Sequence, residues 1–424
     1  MRLQVKKMKT IVSVTPTRLE ADSRSFKVAS SIARLGYVSI LVEGQKSTFD
    51  GARLPFRLSS MSDSFIDVLP SSNDDRRTCH DWKVSLRRAW RIARDSTPLL
   101  PFLFLLWYFQ RYVVVALRSI PRASLYYLHG YAHYPALCIL SKRYKAPIIY
   151  DAHDYYSGIN SPTEIAALNF GRRWIATFYR HLEARLIQNA AATVTVAHGV
   201  AMLQQKTFGR SAIVIRNCHD YRIDRNPLKS LRESLKIPLD FFLLVVMGNC
   251  KPGMAIQEVL EALQELPPKV HLAFVGSFYD RFLNDIRRRR LEDRVHIVRP
   301  IKPYEVVPFI KSANASILLY YPRSANYRNC LPNGFFQAIA AELPLLYPTL
   351  QEIRQIAEDY DIGTPINPRV PRSISAAIIG LMNDPSRMAR YRRNLQKAAH
   401  DLGWEKEERI LATVILDAFD RGQP

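Results

Sequence analysis

Short apolar runs that end on glycine or a polar residue, alternating with helical segments, constrain this chain more than any other feature. Thr10–Val14 reads as a buried strand, followed by a polar turn (Pro16–Ser23) and a helix from about Ser25 to Leu35. Gly36 stops that helix, and Tyr37–Val42 returns as a second strand. Strand, helix and strand within about 35 residues make the βαβ unit of a parallel sheet. The pattern continues with strand Leu125–Leu128, helix Pro135–Arg143, strand Pro147–Tyr150, a helix ending at Glu183–Ala191, and strands Ala192–Val196 and Ala212–Ile215. A second array opens at Phe241–Met247, with helix Ala255–Leu266 and strands Val270–Val275, Val295–Val298, Ser316–Tyr320 and Leu343–Tyr347. The four arginines Arg287–Arg290 fall on a helix before Val295 and read as a solvated face. Two such arrays fit 424 residues, 48% of them hydrophobic, as two folded α/β domains. The loop after the first strand lacks G-x-G-x-x-G, so a dinucleotide fingerprint is absent.

Charge narrows the partners without choosing one. With 60 Lys+Arg against 38 Asp+Glu, the formal charge of +22 suits nucleic acid, anionic lipid or a phosphorylated substrate. Residues 76–122 concentrate it: ten arginines or lysines stand against Asp81 and Asp95, around an uncharged apolar run from Ser96 to Phe109. Gln110 and Arg111 interrupt that run before Tyr112–Leu117, so a membrane span of ~20 residues would have to bury a guanidinium. A basic helix beside a greasy aromatic block fits an interfacial element on an anionic leaflet, with a core helix of the first domain as the alternative. The aromatics form one block rather than separate stacking platforms, which ranks nucleic acid last. The five widely spaced cysteines lack any C-x-x-C and indicate neither a disulfide framework nor a zinc site. A reducing cytoplasm fits that usage. The apolar run Ile11–Val14 is too short for a signal peptide.

Candidate chemistry sits where strands end. Polar residues just beyond the carboxyl ends of parallel strands lie where open α/β sheets bind ligands. His129 follows one strand, and Asp151-Ala152-His153-Asp154 follows another. A histidine there can orient or protonate a substrate oxygen, which makes His153 the foremost candidate and His129 and Asp151 its companions. In the second array, Asn326–Pro344 joins a loop rich in backbone donors, a Leu331-Pro332 stop and an apolar helix from about Gly334 to Ala341. A helix N-terminus behind such a loop offers N–H groups and a positive dipole end, an arrangement that suits phosphate.

That stretch resembles the L-P-N-K-x-F-E-Y-M-A-A-G-L-P-V segment of family-4-type retaining glycosyltransferases of the GT-B fold. Asp22–Tyr37 is similar to the family's opening helix, I-Y-D-A-H-D to its V-Y-D-x-H-E, and Arg216-Asn217 to the end of its V-I-x-N hinge. The resemblance implies two Rossmann-like domains facing each other across a cleft. Residues 1–217 would face the acceptor, 218–400 would hold the donor, and a C-terminal helix in 401–424 would pack back across both. It implies a nucleotide diphosphate-sugar as donor substrate, no cofactor and no metal. The acceptor would be a lipid-linked or membrane-proximal saccharide, and the protein would work on the inner face of the membrane.

By the same resemblance the donor site comprises Gly248, Asn249, Lys251, Met254, Asn329, Leu331, Pro332, Asn333, Gly334 and Gln337, with His153 facing the transferred sugar. The chain departs from the family at several of these. Where relatives carry G-R-x-x-x-x-[KR]-G it has Asn249 and Met254, leaving Lys251, Arg323 or Arg328 as substitute cations. The family's Glu-x7-Glu pair falls on Asn329 and Gln337, and Glu342 replaces the usual helix-ending glycine. A hexosyltransferase in polysaccharide or glycolipid synthesis is therefore the leading expectation. A catalytically impaired relative serving as a binding or scaffold subunit is the alternative.

Overall fold

The computed structural model describes residues 8–49, 54–61, 99–159, 164 and 168–421, so residues 76–98 of the basic segment lie outside the described part. The chain divides into two units: Met1–Val194 with Gln204–Ile213 and Ala412–Pro424, and Thr195–Leu203 with Val214–Leu411.

The first unit is built on seven strands: β1 (Thr10–Thr15), β2 (Val38–Glu43), β3 (Arg57–Ser60), β4 (Leu125–His129), β5 (Ile148–Ala152), β6 (Ala192–Thr195) and β7 (Ile213–Val214). Their order is β3-β2-β1-β4-β5-β6-β7. From β3 to β5 neighbouring strands run parallel, with Ile11 opposite Ser39 on one side and Leu125 on the other. Both faces of such a sheet are covered, so β1, β4 and β5 are buried almost throughout. The helix Ser23–Arg34 starts where the Asp22 carboxylate accepts from the Ser25 N–H at 3.0 Å, an N-cap that satisfies an orphan donor.

The second unit holds β8 (Phe242–Met247), β9 (Val270–Val275), β10 (Val295–Val298), β11 (Ala315–Ile317), β12 (Leu345–Pro348) and β13 (Gly363–Ile366), in the order β10-β9-β8-β11-β12-β13 and parallel throughout. In each sheet the first strand is central and strand order reverses beside it, between β1 and β4 and between β8 and β11. A crevice opens at such a switch point, beyond the strands' carboxyl ends. Both candidate sites lie at these ends.

Three expectations shift. The ladder of β11 stops at Ile317, and Tyr320 instead bridges Met254. Only Arg287 and Arg288 are helical, within Leu283–Arg288, because Arg290 turns to φ +55° and ends the helix run. Strand β12 begins at Leu345 because Glu342 and Leu343 close the preceding helix, with their N–H groups on Ile339 O and Ala338 O. Glu342 itself has φ +57°, the backbone a glycine adopts most easily. Its carboxylate takes Lys311 Nζ at 2.9 Å and Gln396 Nε2 at 3.0 Å, contacts that offset the strain and that glycine could not make.

The apolar segment of the first unit is helical from Leu99 to Tyr108, widens to a π-helix over Phe109–Val114, and returns to α over Val115–Ser119. Leu100, Phe104 and Tyr108 are buried, and Phe104 and Tyr108 meet Phe178 and Tyr179 edge-on at 5.1–6.1 Å between ring centroids. Phe102, Leu105, Leu106 and Phe109, at helical i, i+3, i+4 and i+7 spacing, are exposed. So the segment is a core helix on one face and an uncovered apolar helix on the other. By length and composition Leu100–Ser119 also suffices to cross a membrane.

Candidate functional site

In the first unit the expected histidines and carboxylate converge. His129 ends β4 and Asp151 stands opposite it on β5, while His153 follows one residue past the end of β5. Asp151 is completely buried and receives the Arg24 Nε–H at 2.8 and 3.0 Å on its two oxygens, together with the Tyr127 hydroxyl at 3.2 Å. His129 Nδ1 lies 3.3 Å from Asp151 Oδ2 and 3.0 Å from His153 Nε2. The other ring nitrogen of His129, Nε2, is buried without a partner among the described residues. That assigns its proton to Nδ1, since only there does it find an acceptor. His153 Nε2 then accepts, and the His153 proton sits on Nδ1. His153 is the member with substantial exposure, 25% of its side chain, whereas His129 and Asp151 have none.

The electrostatics follow from this packing. Burial alone would raise the Asp151 carboxyl, but the Arg24 guanidinium, then His153 and His129, hold it well below the ordinary range. Asp22 is likewise buried yet lowered to about 2 by the two histidines and by its bonds to Ser25. Burial pushes His153 down, against the pull of Asp151 and Asp22, which favours a neutral imidazole. His129, Asp151 and His153 also have the spacing and ligand types of a cation site. The guanidinium already 2.8 Å from the same Asp151 oxygen opposes a second cation there. The arrangement therefore presents one neutral, oriented histidine, backed by a fixed charge pair. Arg24, Tyr127 and Asp22 are the parts that sequence reading passes over. The available signal was an arginine at a helix position that the amphipathic pattern buries.

In the second unit the site is made mostly of backbone. The turn after β8 is zipped to the turn after β9: Gly248 N donates to Val275 O at 3.0 Å, Cys250 N to Ser277 O at 2.9 Å, and the Tyr279 hydroxyl to Gly248 O at 3.0 Å. Asn249, at the position where relatives carry arginine, spends its Oδ1 on the Ser277 N–H at 3.0 Å. Met254 is 8% exposed, and its sulfur takes the Lys251 N–H at 3.3 Å, closing the turn from inside. The Lys251 side chain is exposed. Gly276 has φ +154°, and a Cβ there would stand 2.2 Å from Gly248 O, so a side chain is excluded. Gly253, at φ +92°, packs between Tyr327 and Arg323.

The helix Asn333–Ala340 starts beside this turn. Pro332 precedes it and gives no side-chain cap, and a Cβ on Gly334 would lie 3.2 Å from Met247 O. Asn217 donates to Asn333 Oδ1, tying the segment after β7 to the helix start. Leu331 is buried behind the loop, Asn329 Nδ2 donates to Ala325 O at 2.8 Å, and Gln337 sits half-buried one turn in. Arg323 lies against Gly253, whereas Arg328 is exposed. Arg281, not anticipated, reaches the turn from after β9: its Nη2 is 3.3 Å from Cys250 O and 2.9 Å from Cys250 Sγ.

Comparison with known proteins matches two family models to this chain. Residues 27–217 match the model of the glycosyl transferase 4-like domain, and residues 229–400 match that of the glycosyl transferases group 1. A D-inositol 3-phosphate glycosyltransferase 2 of Catenulispora acidiphila is 23% identical over 207 residues, and the match takes in 46% of each chain, about half the length of that relative. Among solved structures, a sucrose-phosphate synthase from Thermosynechococcus elongatus superposes with a TM-score of 0.66 at 12% identity, covering 97% of this chain and 100% of that one. Anabaena HepE in complex with UDP and glucose gives 0.65 at 15% identity, covering 96% and 99%. WaaG, a glycosyltransferase involved in lipopolysaccharide biosynthesis, gives 0.60 at 16% identity, covering 94% and 99%. At these identities the structures speak for the fold, and the family matches for descent. The chain belongs to the group 1 glycosyltransferases of the GT-B fold.

Proposed function

We propose that this chain transfers a sugar, with retention of anomeric configuration, from a nucleotide diphosphate-sugar to a lipid-linked or membrane-proximal saccharide, in polysaccharide or glycolipid synthesis. The observation that carries the donor half is the glycine-built turn Gly248–Gly253 beside the uncapped helix at Asn333. Backbone N–H groups and a helix dipole there stabilise a departing diphosphate without needing a charged side chain from the motif. HepE, of like fold, has been solved with UDP and with UDP-glucose. On the acceptor side, the neutral His153 is oriented to hold or exchange a proton at a sugar oxygen.

The exposed apolar face Phe102, Leu105, Leu106 and Phe109, in a chain of charge +22, supports work at the cytoplasmic surface of an anionic membrane. The test is transfer from a panel of labelled UDP- and GDP-sugars to lipid-linked acceptor extracts on anionic vesicles. Labelled glycolipid with a retained anomer is expected. Binding of the nucleotide sugars with transfer to none of the extracts would overturn the reading.

A second reading has its own observation. Asn249 and Met254 serve the turn itself, and Gln337 stands where relatives have a carboxylate. A donor site so altered fits a non-catalytic binding or scaffold subunit. Calorimetry with UDP, GDP and their sugars separates the two, since micromolar binding argues against a dead donor site.

A further inference from the structure

A bound nucleoside diphosphate brings at least two negative charges to the Gly248–Met254 turn, and charge-assisted contacts hold such a group better than backbone dipoles alone. Neither position where relatives place a cation supplies one, because Asn249 is bonded to Ser277 and Met254 is buried. Two arginines nevertheless stand at the two ends of the turn. Arg281 approaches the Cys250 end and donates through Nη2 to Cys250 O (3.3 Å) and Sγ (2.9 Å). Its guanidinium also lies over the Phe282 ring, 5.3 Å from the centroid. Its Nε and Nη1 have no acceptor among the described residues, and the side chain is exposed. At the other end, Arg323 Cδ lies 3.2 Å from where a Cβ on Gly253 would be. Its segment is held to the turn by the Tyr321 N–H on Gly253 O at 3.1 Å and by the Tyr327 hydroxyl on Pro252 O at 2.7 Å.

We infer that Arg281 and Arg323 are the cations that bind the donor's diphosphate, in place of the two motif positions. This rests on the reading of the turn as a donor site. Guanidinium suits the task, since its planar fork meets phosphate oxygens two at a time from a fixed stem. The relocation also explains how the turn keeps its shape: the motif positions are freed for zipping and closing it, while the charges arrive from the flanking segments.

The experiment is calorimetric titration of the full chain with UDP and GDP, repeated with UMP as the control lacking the second phosphate. R281Q and R323Q should each weaken UDP binding about 10- to 100-fold, the range for one charge-assisted contact, and should change UMP binding less. R281K and R323K should recover part of the loss. Adding N249R to R281Q should also restore UDP affinity, a gain that a purely structural role for Arg281 would not produce. Melting curves of each variant separate loss of binding from loss of fold. UDP binding at wild-type strength in both glutamine variants overturns the inference, as does a loss carried by Lys251→Ala alone. If the unmodified chain binds neither UDP nor GDP, the donor-site reading itself fails.

Discussion

The two candidate sites occupy equivalent places in their sheets, at the carboxyl ends of strands beside a reversal of strand order, yet they are made of different material. The first-unit site is a set of buried side chains, Arg24, Asp151, His129 and His153, whose charges fix one another. The second-unit site is a set of backbone groups, shaped by glycines and by hydrogen bonds between two turns. A side-chain site is specified by a few residues far apart in sequence and collapses when one charge is removed. A backbone site is specified by where side chains are forbidden, and it tolerates exchange of those that remain. That difference accounts for a chain that keeps His153 and Asp151 while the turn after β8 has Asn249 and Met254.

The largest expected effect tests the charge dependence of the first site. Arg24→Met leaves the Asp151 carboxylate buried with no guanidinium, and breaking such a pair should cost about 3–5 kcal/mol in a denaturant melt at pH 7. Because Asp151 is held below its ordinary pKa, that contribution is present at neutral pH and disappears as pH falls through the carboxylate range. The deficit should therefore narrow below about pH 4. An equal deficit at every pH would mean that packing, rather than charge, holds this site together.

The next effect tests the backbone character of the second site. Gly276→Ala places a methyl group 2.2 Å from Gly248 O. It should destabilise by about 3 kcal/mol through strain and overpacking, and should weaken UDP binding although it removes no side chain. Unchanged binding would show that the zip between the two turns is dispensable.

The smallest effect sharpens the contrast through pH. Glu183 is 1% exposed, and burial raises its carboxyl to about 7 despite bonds from the Tyr150 hydroxyl (2.8 Å) and Ser157 (3.5 Å). The folded chain thus holds this proton more tightly than the unfolded one, so stability should fall as pH rises from about 4.5 to 7. Glu183→Gln should flatten that slope and gain about 2 kcal/mol at pH 8, since the amide oxygen can still accept from Tyr150. A slope that persists in the variant would assign the pH dependence to other groups.

Much of this was legible in the residues. Strands β1, β2, β4, β5, β8 and β9 were announced by apolar runs closed by glycine or polar residues, because a parallel strand buried on both faces leaves no room for alternation. Strand β3, Arg-Leu-Ser-Ser at a sheet edge, lacks that signal, since its side chains are exposed or half-buried. His129, Asp151 and His153 were found because strand ends are where such sheets keep ligands. Arg24 was not, because its place on the buried helix face carries no sign of the carboxylate it meets 127 residues away. Arg281 was missed for a related reason, as a lone arginine in a short helical turn looks like any other surface charge.

The sequence by itself determined the two parallel arrays, the family, and the positions where the donor motif departs from its relatives. Those are local properties, written in periodicity and in short contiguous strings. The tertiary structure alone decided what surrounds the positions that depart. It gave Asn249 to Ser277, seated Met254 inside the turn, brought Arg281 and Arg323 to its two ends, and put Glu342 into a glycine backbone held by Lys311 and Gln396. It also divided the apolar segment after Leu99 into a buried face and an open one. Apart from the Lys251–Met254 bond inside the turn, these are contacts between residues distant in sequence, and such contacts become visible only once the chain has folded.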